Sequence, residues 1–205
     1  MDKYEVLKQY FGYDAFRDGQ EKMIDAITSG RDVLGIMPTG AGKSLCYQMA
    51  GENGGITLVI SPLISLMKDQ VSALNQAGVH AAYLNSSLTS GQYYKALGYA
   101  REGRYPIIYV APERLLTPEF LDFAVHAKIA MVAVDEAHCV SQWGQDFRPG
   151  YLKIEEFLCT LPKRPVVSAF TATATAEVRD DIIDLLKLQD PVVTTTGFDR
   201  PNLYF

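Results

Sequence analysis

The chain has 205 residues, 48% of them hydrophobic and 21% charged, which suits one domain with a full core and excludes a disordered or fibrous protein. A net charge of −5 and a pI near 5.2 argue against binding of nucleic acid through a general positive field. No apolar run approaches the roughly 20 residues of a membrane-spanning helix, and the chain opens without a signal peptide, so we expect a cytoplasmic protein without membrane contact.

Three cysteines, Cys46, Cys139 and Cys159, are odd in number and widely spaced. Neither a disulfide framework nor a four-cysteine zinc site can be built from them. We therefore expect three reduced, mostly buried thiols.

Short apolar runs alternate with segments of helical period along the whole chain. This pattern predicts an α/β fold, a three-layer α/β/α domain with a mostly parallel central sheet. The predicted strands are 33–37, 56–60, 81–84, 107–110, 129–134, 166–170 and 192–195. The predicted helices between them are 43–50, 63–77, 90–102, 118–127, 151–161 and 176–186. We expect one domain over residues 1–196, and a solvated turn at Lys163 and Arg164, which stand between two prolines.

A phosphate-binding loop is predicted between the first strand and the helix after it, where residues 38–44 read Pro-Thr-Gly-Ala-Gly-Lys-Ser. Small residues let successive backbone N–H groups surround a phosphate, Lys43 can reach the β- and γ-phosphate oxygens, and the Ser44 hydroxyl can bind Mg²⁺. Met37 stands where the general pattern has its first glycine. The alternative is a glycine-rich turn that carries Lys-Ser by chance. We predict nucleotide contacts from Thr39, Gly40, Ala41, Gly42, Lys43, Ser44 and Leu45.

Two adjacent carboxylates, Asp135 and Glu136, follow the apolar run 129–134, so a buried strand delivers them to its carboxyl end. Asp135 is suited to hold Mg²⁺ opposite Ser44, and Glu136 is suited to orient or deprotonate an attacking water. Alone, such a pair would more often begin a solvated loop, but the phosphate-binding loop upstream favours catalysis. The predicted catalytic set is Lys43, Asp135, Glu136 and His138.

A run of small hydroxyl residues over 168–175 follows the next predicted strand. Thr175 is suited to cap the helix that comes after it. Thr171 and Thr173 remain able to hydrogen-bond His138 or the carboxylates, which predicts a path from the nucleotide to neighbouring surfaces.

With these motifs in order, the sequence resembles the first RecA-like lobe of superfamily-two helicases, and within that group the RecQ family, over essentially all 205 residues. Residues 11–20 look like the family's adenine-recognition motif. The resemblance implies that Gln20 reads the adenine edge and that Tyr13 and Arg17 sandwich the base of ATP. Residues 61–70 and 111–115 look like two motifs on the nucleic-acid side, although both also fit ordinary helix starts.

Residues 139–151, directly after the carboxylate pair, resemble the aromatic-rich loop that distinguishes RecQ helicases. Trp143 and Phe147 lie among glycine and polar residues rather than on a periodic apolar face. With Arg148 they could form a stacking platform for single-stranded bases. The alternative is a small satellite core in which both rings pack inwards.

Residues 197–205 resemble the segment that leads RecQ proteins into a second RecA-like motor lobe, so we expect a linker here and that lobe outside these 205 residues. The resemblance implies Mg²⁺ and ATP as ligands, single-stranded and duplex DNA as partners, and 3′ to 5′ translocation and unwinding in DNA repair or recombination. It also implies a nucleoid location in a bacterium. Two alternatives stay open, an RNA-directed helicase lobe, and a nucleotide- and single-stranded-DNA-binding module without useful turnover.

Overall fold

The computed structural model describes residues 1–38, 42–49 and 54–197. In this part of the chain seven strands form one sheet in the order β3-β4-β2-β5-β6-β1-β7. All six pairings are parallel, so the sequence prediction of a mostly parallel sheet is confirmed in a stricter form. The strands are β1 (Val33–Ile36), β2 (Ile56–Ile60), β3 (Ala81–Leu84), β4 (Ile107–Val110), β5 (Ile129–Val134), β6 (Val166–Thr171) and β7 (Val192–Thr195).

Helices cover both faces of the sheet. They are α1 (Lys3–Val6), α2 (Gln20–Thr28), α3 (Lys43–Met49), α4 (Ile64–Gln76), α5 (Ser90–Arg101), α6 (Pro118–His126), α7 (Lys153–Thr160) and α8 (Ala176–Leu185). A π-helix, Leu7–Phe11, continues α1, and three short 3₁₀ segments follow strands or precede α7: Pro112–Arg114, Ala137–Val140 and Pro149–Leu152.

Two hydrophobic clusters fill the space between the layers. One joins the sheet to α5, α6, α7 and α8, and the other joins it to α2, α3 and α4. The strands at the centre, such as β5, read as continuous apolar runs because both of their faces are buried. The three-layer α/β/α prediction is therefore confirmed.

The boundaries of the predicted elements agree with the structure to within one residue, except at the beginning of α7. The predicted strand 33–37 ends at Ile36, and the predicted strand 166–170 extends to Thr171. The predicted helix 151–161 begins at Lys153, since the residues from Pro149 to Leu152 form a 3₁₀ turn instead. Helices α1 and α2 were not predicted. Thr175 caps α8 as expected, because its hydroxyl accepts a hydrogen bond from the N–H of Val178 at 3.3 Å.

The prediction of a solvated turn at Lys163 and Arg164 is wrong for Arg164. Its guanidinium pairs with the buried carboxylate of Asp32, with N–O distances of 2.6 and 3.1 Å. Asp32 also accepts the backbone N–H groups of Val167 and Gln189. One carboxylate thus joins the beginnings of β1 and β6 to the segment before β7, on the sheet edge opposite the strands' carboxyl ends.

All three cysteines are free, with Cys46 and Cys139 buried as expected and Cys159 exposed. None of the helices in the described ranges is both long and apolar enough to cross a bilayer.

Candidate functional site

The parallel sheet brings three loops together. Strands β5, β6 and β1 are neighbours, so the segments that follow their carboxyl ends meet at one edge. A cavity of about 470 Å³ opens there. It gathers residues from four separate parts of the sequence: Phe11, Tyr13, Ala15, Arg17, Gln20, Gly42, Lys43, Ser44, Leu45, Tyr47, Gln48, Leu66, Gln70, Asp135 and Glu136.

Gln20 links the first of these parts to the second. Its side chain is almost fully buried; its Oε1 accepts the N–H of Arg17 at 2.7 Å and its Nε2 donates to the carbonyl of Gly42 at 3.1 Å. Gly42 has a φ of +83°, and a Cβ at that position would overlap Gln20 Nε2. The backbone beside Lys43 therefore needs glycine for two independent reasons. Tyr13 lies at the mouth of the cavity with 52% of its surface exposed.

Lys43 and Ser44 form the first turn of α3 and line the cavity, and Leu45 after them is buried. The predicted contacts from Thr39, Gly40 and Ala41 lie outside the described residues. Positive charge from Lys43 and the helix amino terminus faces Asp135 and Glu136 across the cavity, an arrangement suited to phosphate on one side and a cation on the other.

Asp135 extends the ladder of β5, since its N–H donates to the carbonyl of Ile60 at 2.9 Å. Its side chain is buried, and burial followed by the negative charge of Glu136 raises the pKa of Asp135 to about 6. Lys43 and the N–H of Glu136 act in the opposite direction. In the described part of the chain this carboxylate forms no salt bridge, so a hard cation beside it would stabilise its charged form.

Glu136 adopts the left-handed conformation, with φ 50° and ψ 45°. Left-handed backbone is costly for a residue with a side chain and is found where surrounding contacts enforce it. One such contact comes from Tyr151, whose buried hydroxyl donates to the carbonyl of Asp135 at 2.8 Å. The turn directs the two neighbouring carboxylates differently, Asp135 into the interior and Glu136 into a half-buried position.

His138 connects the carboxylate turn to the next strand. Its Nδ1 lies 2.8 Å from the hydroxyl of Thr171 and 3.5 Å from Glu136 Oε2. The Thr171 hydroxyl in turn donates to the carbonyl of Thr173 at 3.1 Å. The predicted contact between Thr171 and His138 is thus present, whereas Thr173 takes part through its backbone and its side chain is exposed.

The inner wall of the cavity contains a polar network that sequence patterns did not indicate. The amide nitrogen of Gln48, on α3, donates to Gln70 of α4 and to the buried hydroxyl of Tyr109, each at 2.8 Å. On the sequence these residues sit inside ordinary amphipathic helices and a strand, and only the packing of α3 against α4 brings them together. The hydrogen bond from Tyr151 to the carbonyl of Asp135 was also not predicted, because it too depends on the packing.

The aromatic loop leaves the site directly after His138. Trp143 is 77% exposed, which contradicts the alternative of a satellite core for this ring. Phe147 is half-buried, and Arg148 pairs with Asp146 at 3.2 Å. Trp143, Phe147, Arg148, Thr171 and Thr173 do not line the nucleotide-sized cavity. They lie beside it, with His138 as the hydrogen-bonded connection.

Residues 61–70 and 111–115 follow β2 and β4, so they lie at the same carboxyl edge, further towards β3. Arg114 lies over the ring of Tyr93, 4.7 Å from its centroid. These segments supply two further helix starts to this edge of the sheet.

A family model described as DEAD/DEAH box helicase matches residues 17–182. The chain is 50% identical over 202 residues to the ATP-dependent DNA helicase RecQ of Bacillus subtilis (strain 168), covering 98% of this chain and 34% of that protein. It is 48% identical over 202 residues to the ATP-dependent DNA helicase RecQ of Pasteurella multocida (strain Pm70), covering 98% of this chain and 32% of that protein.

Among solved structures, a hypothetical ATP-dependent RNA helicase from Sulfolobus tokodaii superposes with a TM-score of 0.71 at 24% identity, over 94% of this chain and 56% of that one. At this identity the likeness shows the fold alone. The chain spans about a third of the length of the two curated relatives.

Proposed function

We propose that this chain, which belongs to the DEAD/DEAH box helicase family and is of the RecQ type within it, is the ATP-binding motor lobe of a DNA helicase. The observation that carries the proposal is the single cavity of about 470 Å³ that collects Tyr13, Arg17 and Gln20 together with Lys43 and the carboxylate pair. Residues suited to bind adenine, phosphate and a metal ion, gathered in one cavity, fit a nucleoside triphosphate with its Mg²⁺.

Within this cavity the roles follow from position. Tyr13 and Arg17 would enclose the base, Gln20 would present its amide to the adenine edge, and Lys43 would contact the β- and γ-phosphates. Glu136 would orient and deprotonate the attacking water, since its side chain is half-buried at the cavity wall beside Asp135. His138 would hold the position of Glu136 through the contacts described above.

Mg²⁺ fits the hard oxygen donors of Ser44 and Asp135, where it would neutralise charge on the phosphate oxygens. The buried, raised-pKa carboxylate of Asp135 is consistent with this role because a neighbouring cation favours its ionised form.

The partners of the lobe are single-stranded and duplex DNA and a second RecA-like lobe supplied by the rest of a longer parent protein. Trp143, Phe147 and Arg148 would bind the single strand by stacking and charge, so that DNA is gripped locally in spite of the net charge of −5. Translocation from 3′ to 5′ and unwinding in DNA repair or recombination are proposed for the parent on its resemblance to RecQ proteins.

Titration calorimetry with Mg·ATP tests the nucleotide site on this chain. We expect Lys43→Ala to weaken binding by about 1–3 kcal/mol, the range for charge-assisted hydrogen bonds. Lys163→Ala, which removes an exposed lysine remote from the cavity, should bind ATP normally. Equal affinities for the two variants would overturn the assignment. Parallel measurements of ATP turnover with single-stranded DNA and RNA in a two-lobe protein would separate a DNA-directed from an RNA-directed motor.

A further inference from the structure

Packing contributes little to the position of Trp143, because 77% of its surface faces solvent. Its backbone is instead held by hydrogen bonds. The N–H of Trp143 donates to Ser141 Oγ at 3.1 Å, and the N–H of Gly144 donates to the carbonyl of Ser141 at 3.2 Å. Both hydrogen bonds are accepted by Ser141, so Ser141 holds the backbone at the tip of the loop in place.

Ser141 is fully buried, and its hydroxyl donates to Asp181 Oδ2 at 2.6 Å. A hydroxyl has one hydrogen to donate and lone pairs that accept, so Asp181 takes the hydrogen while the Trp143 N–H approaches a lone pair. The carboxylate of Asp181 thus sets the orientation of the Ser141 hydroxyl, whose lone pair accepts the N–H of Trp143. Asp181 lies on α8, 40 residues further along the chain.

Helix α8 also follows the Thr171 segment, which contacts His138. The loop is consequently tied to the β6–α8 unit at two places, through His138 at its beginning and through Ser141 near Trp143. Removing the acceptor on α8 would leave a buried hydroxyl without its partner and release the second tie, while the first stays intact.

We propose that Asp181 is a positioning residue that, through Ser141, holds Trp143 away from the protein surface as a preorganised platform for bases of single-stranded DNA. The inference rests on the proposed function for the identity of the ligand. A ring that is already held in its binding geometry loses less conformational entropy when a base stacks on it, so the Ser141–Asp181 bond contributes to DNA affinity without touching DNA. Asp181 has no part in the nucleotide cavity.

The test uses Trp143 itself, because it is the only tryptophan in the chain. Time-resolved fluorescence anisotropy of Trp143, without DNA, is compared among the unaltered chain, Asp181→Ala, Asp181→Asn and Asp184→Ala. Asp184 is the matched control: it lies on the same helix, is exposed, and pairs only at 3.6 Å with Lys187. We expect faster local motion of the indole in Asp181→Ala alone, since asparagine retains an acceptor oxygen.

Affinity for a fluorescently labelled oligothymidine is the second measurement. Asp181→Ala should weaken binding about tenfold, which corresponds to about 1.4 kcal/mol, whereas Asp181→Asn and Asp184→Ala should stay within about twofold. ATP affinity should be the same in all four proteins. Thermal melting followed by circular dichroism establishes that each variant is folded.

Unchanged indole motion in Asp181→Ala would overturn the proposal, as would equal effects of Asp181→Ala and Asp184→Ala. An Asp181→Ala chain that fails to fold would also contradict it, because the bond would then support the whole domain rather than the loop. Absence of oligothymidine binding by the unaltered chain would instead count against the proposed function, and the anisotropy comparison would still decide the role of Asp181.

Discussion

The Nδ1 atom of His138 lies 2.8 Å from the hydroxyl of Thr171, and this hydrogen bond joins the turn that carries Asp135 and Glu136 to the end of β6. When the Thr171 hydroxyl donates its hydrogen to the carbonyl of Thr173, the histidine supplies the hydrogen in the shared bond. In that arrangement His138 carries its proton on Nδ1 and can offer the same N–H to Glu136 Oε2 at 3.5 Å. Glu136 Oε2 and the Thr171 hydroxyl are then two acceptors beside one N–H.

Thr171→Val should separate nucleotide binding from turnover. Valine keeps the shape of the buried threonine but removes its hydroxyl, so His138 loses its hydrogen-bond partner on β6. In a protein that also carries the second lobe, we expect unchanged ATP affinity and a fall in DNA-stimulated turnover of about tenfold or more. Thr173→Val provides the control, since Thr173 takes part only through its carbonyl. A Thr171→Val protein with normal turnover would show that the His138 contact has no part in coupling.

Glu136→Gln should retain Mg·ATP affinity and lose hydrolysis, because only the activation of water requires a base at this position. Glutamine is of the same size and can occupy the same left-handed turn. Asp135→Asn should instead weaken binding of ATP in the presence of Mg²⁺ and leave binding in its absence nearly unchanged. Calorimetry with and without Mg²⁺, together with a phosphate-release assay, distinguishes the two variants. Normal hydrolysis by Glu136→Gln would rule out the role assigned to Glu136.

Strand positions were predictable because β-strands buried on both faces must be continuous apolar runs, and β5 is such a run. The predicted nucleotide-binding residues could be placed on the fold because Lys43 begins the helix after β1, Asp135 directly follows β5, and the carboxyl ends of parallel strands share one edge. In both cases the signal is local in the sequence, so no knowledge of the packing was needed.

Contacts between remote side chains could not be predicted in this way. Gln48 meets Gln70 because α3 and α4 lie near each other, and Ser141 meets Asp181 because the aromatic loop lies against α8. Arg164 appeared solvated because two prolines flank it, yet its partner Asp32 lies 132 residues away. Such pairs form only when the tertiary structure places the two side chains within hydrogen-bond distance. The types and spacing of residues in the sequence do not indicate which side chains will meet.

Arg164→Ala should lower the free energy of unfolding by about 1–3 kcal/mol. The substitution leaves Asp32 buried with two backbone donors but without its counter-charge. About a third of the arginine side chain is exposed, at 32%, so the loss should fall below that of a fully buried pair. Arg31→Ala is the control, because the Arg31–Asp190 pair is exposed and should contribute less than about 1 kcal/mol. Urea denaturation measures both. Equal stability losses would show that burial of Asp32 does not matter.

Trp143→Ala should abolish stimulation of ATP turnover by single-stranded DNA in the two-lobe protein, with basal turnover and ATP affinity nearly intact. The ring is 77% exposed and lies outside the nucleotide cavity, so its removal costs the fold little. Loss of one stacked base costs about 1–3 kcal/mol, enough to weaken single-strand binding about tenfold or more.

Phe147→Ala should behave differently, because Phe147 is half-buried and its removal also exposes surface that its ring covers. We expect it to lower both DNA stimulation and the melting temperature, whereas Trp143→Ala lowers DNA stimulation alone. Tyr94→Ala is the matched control, since Tyr94 is an aromatic residue of α5 with 55% of its surface exposed and lies outside the aromatic loop. The two measurements are DNA-stimulated phosphate release and thermal melting. Full stimulation in Trp143→Ala would show that DNA binding at the aromatic loop does not control ATP turnover. An equal loss of stimulation in Tyr94→Ala would show that the effect is not specific to this loop.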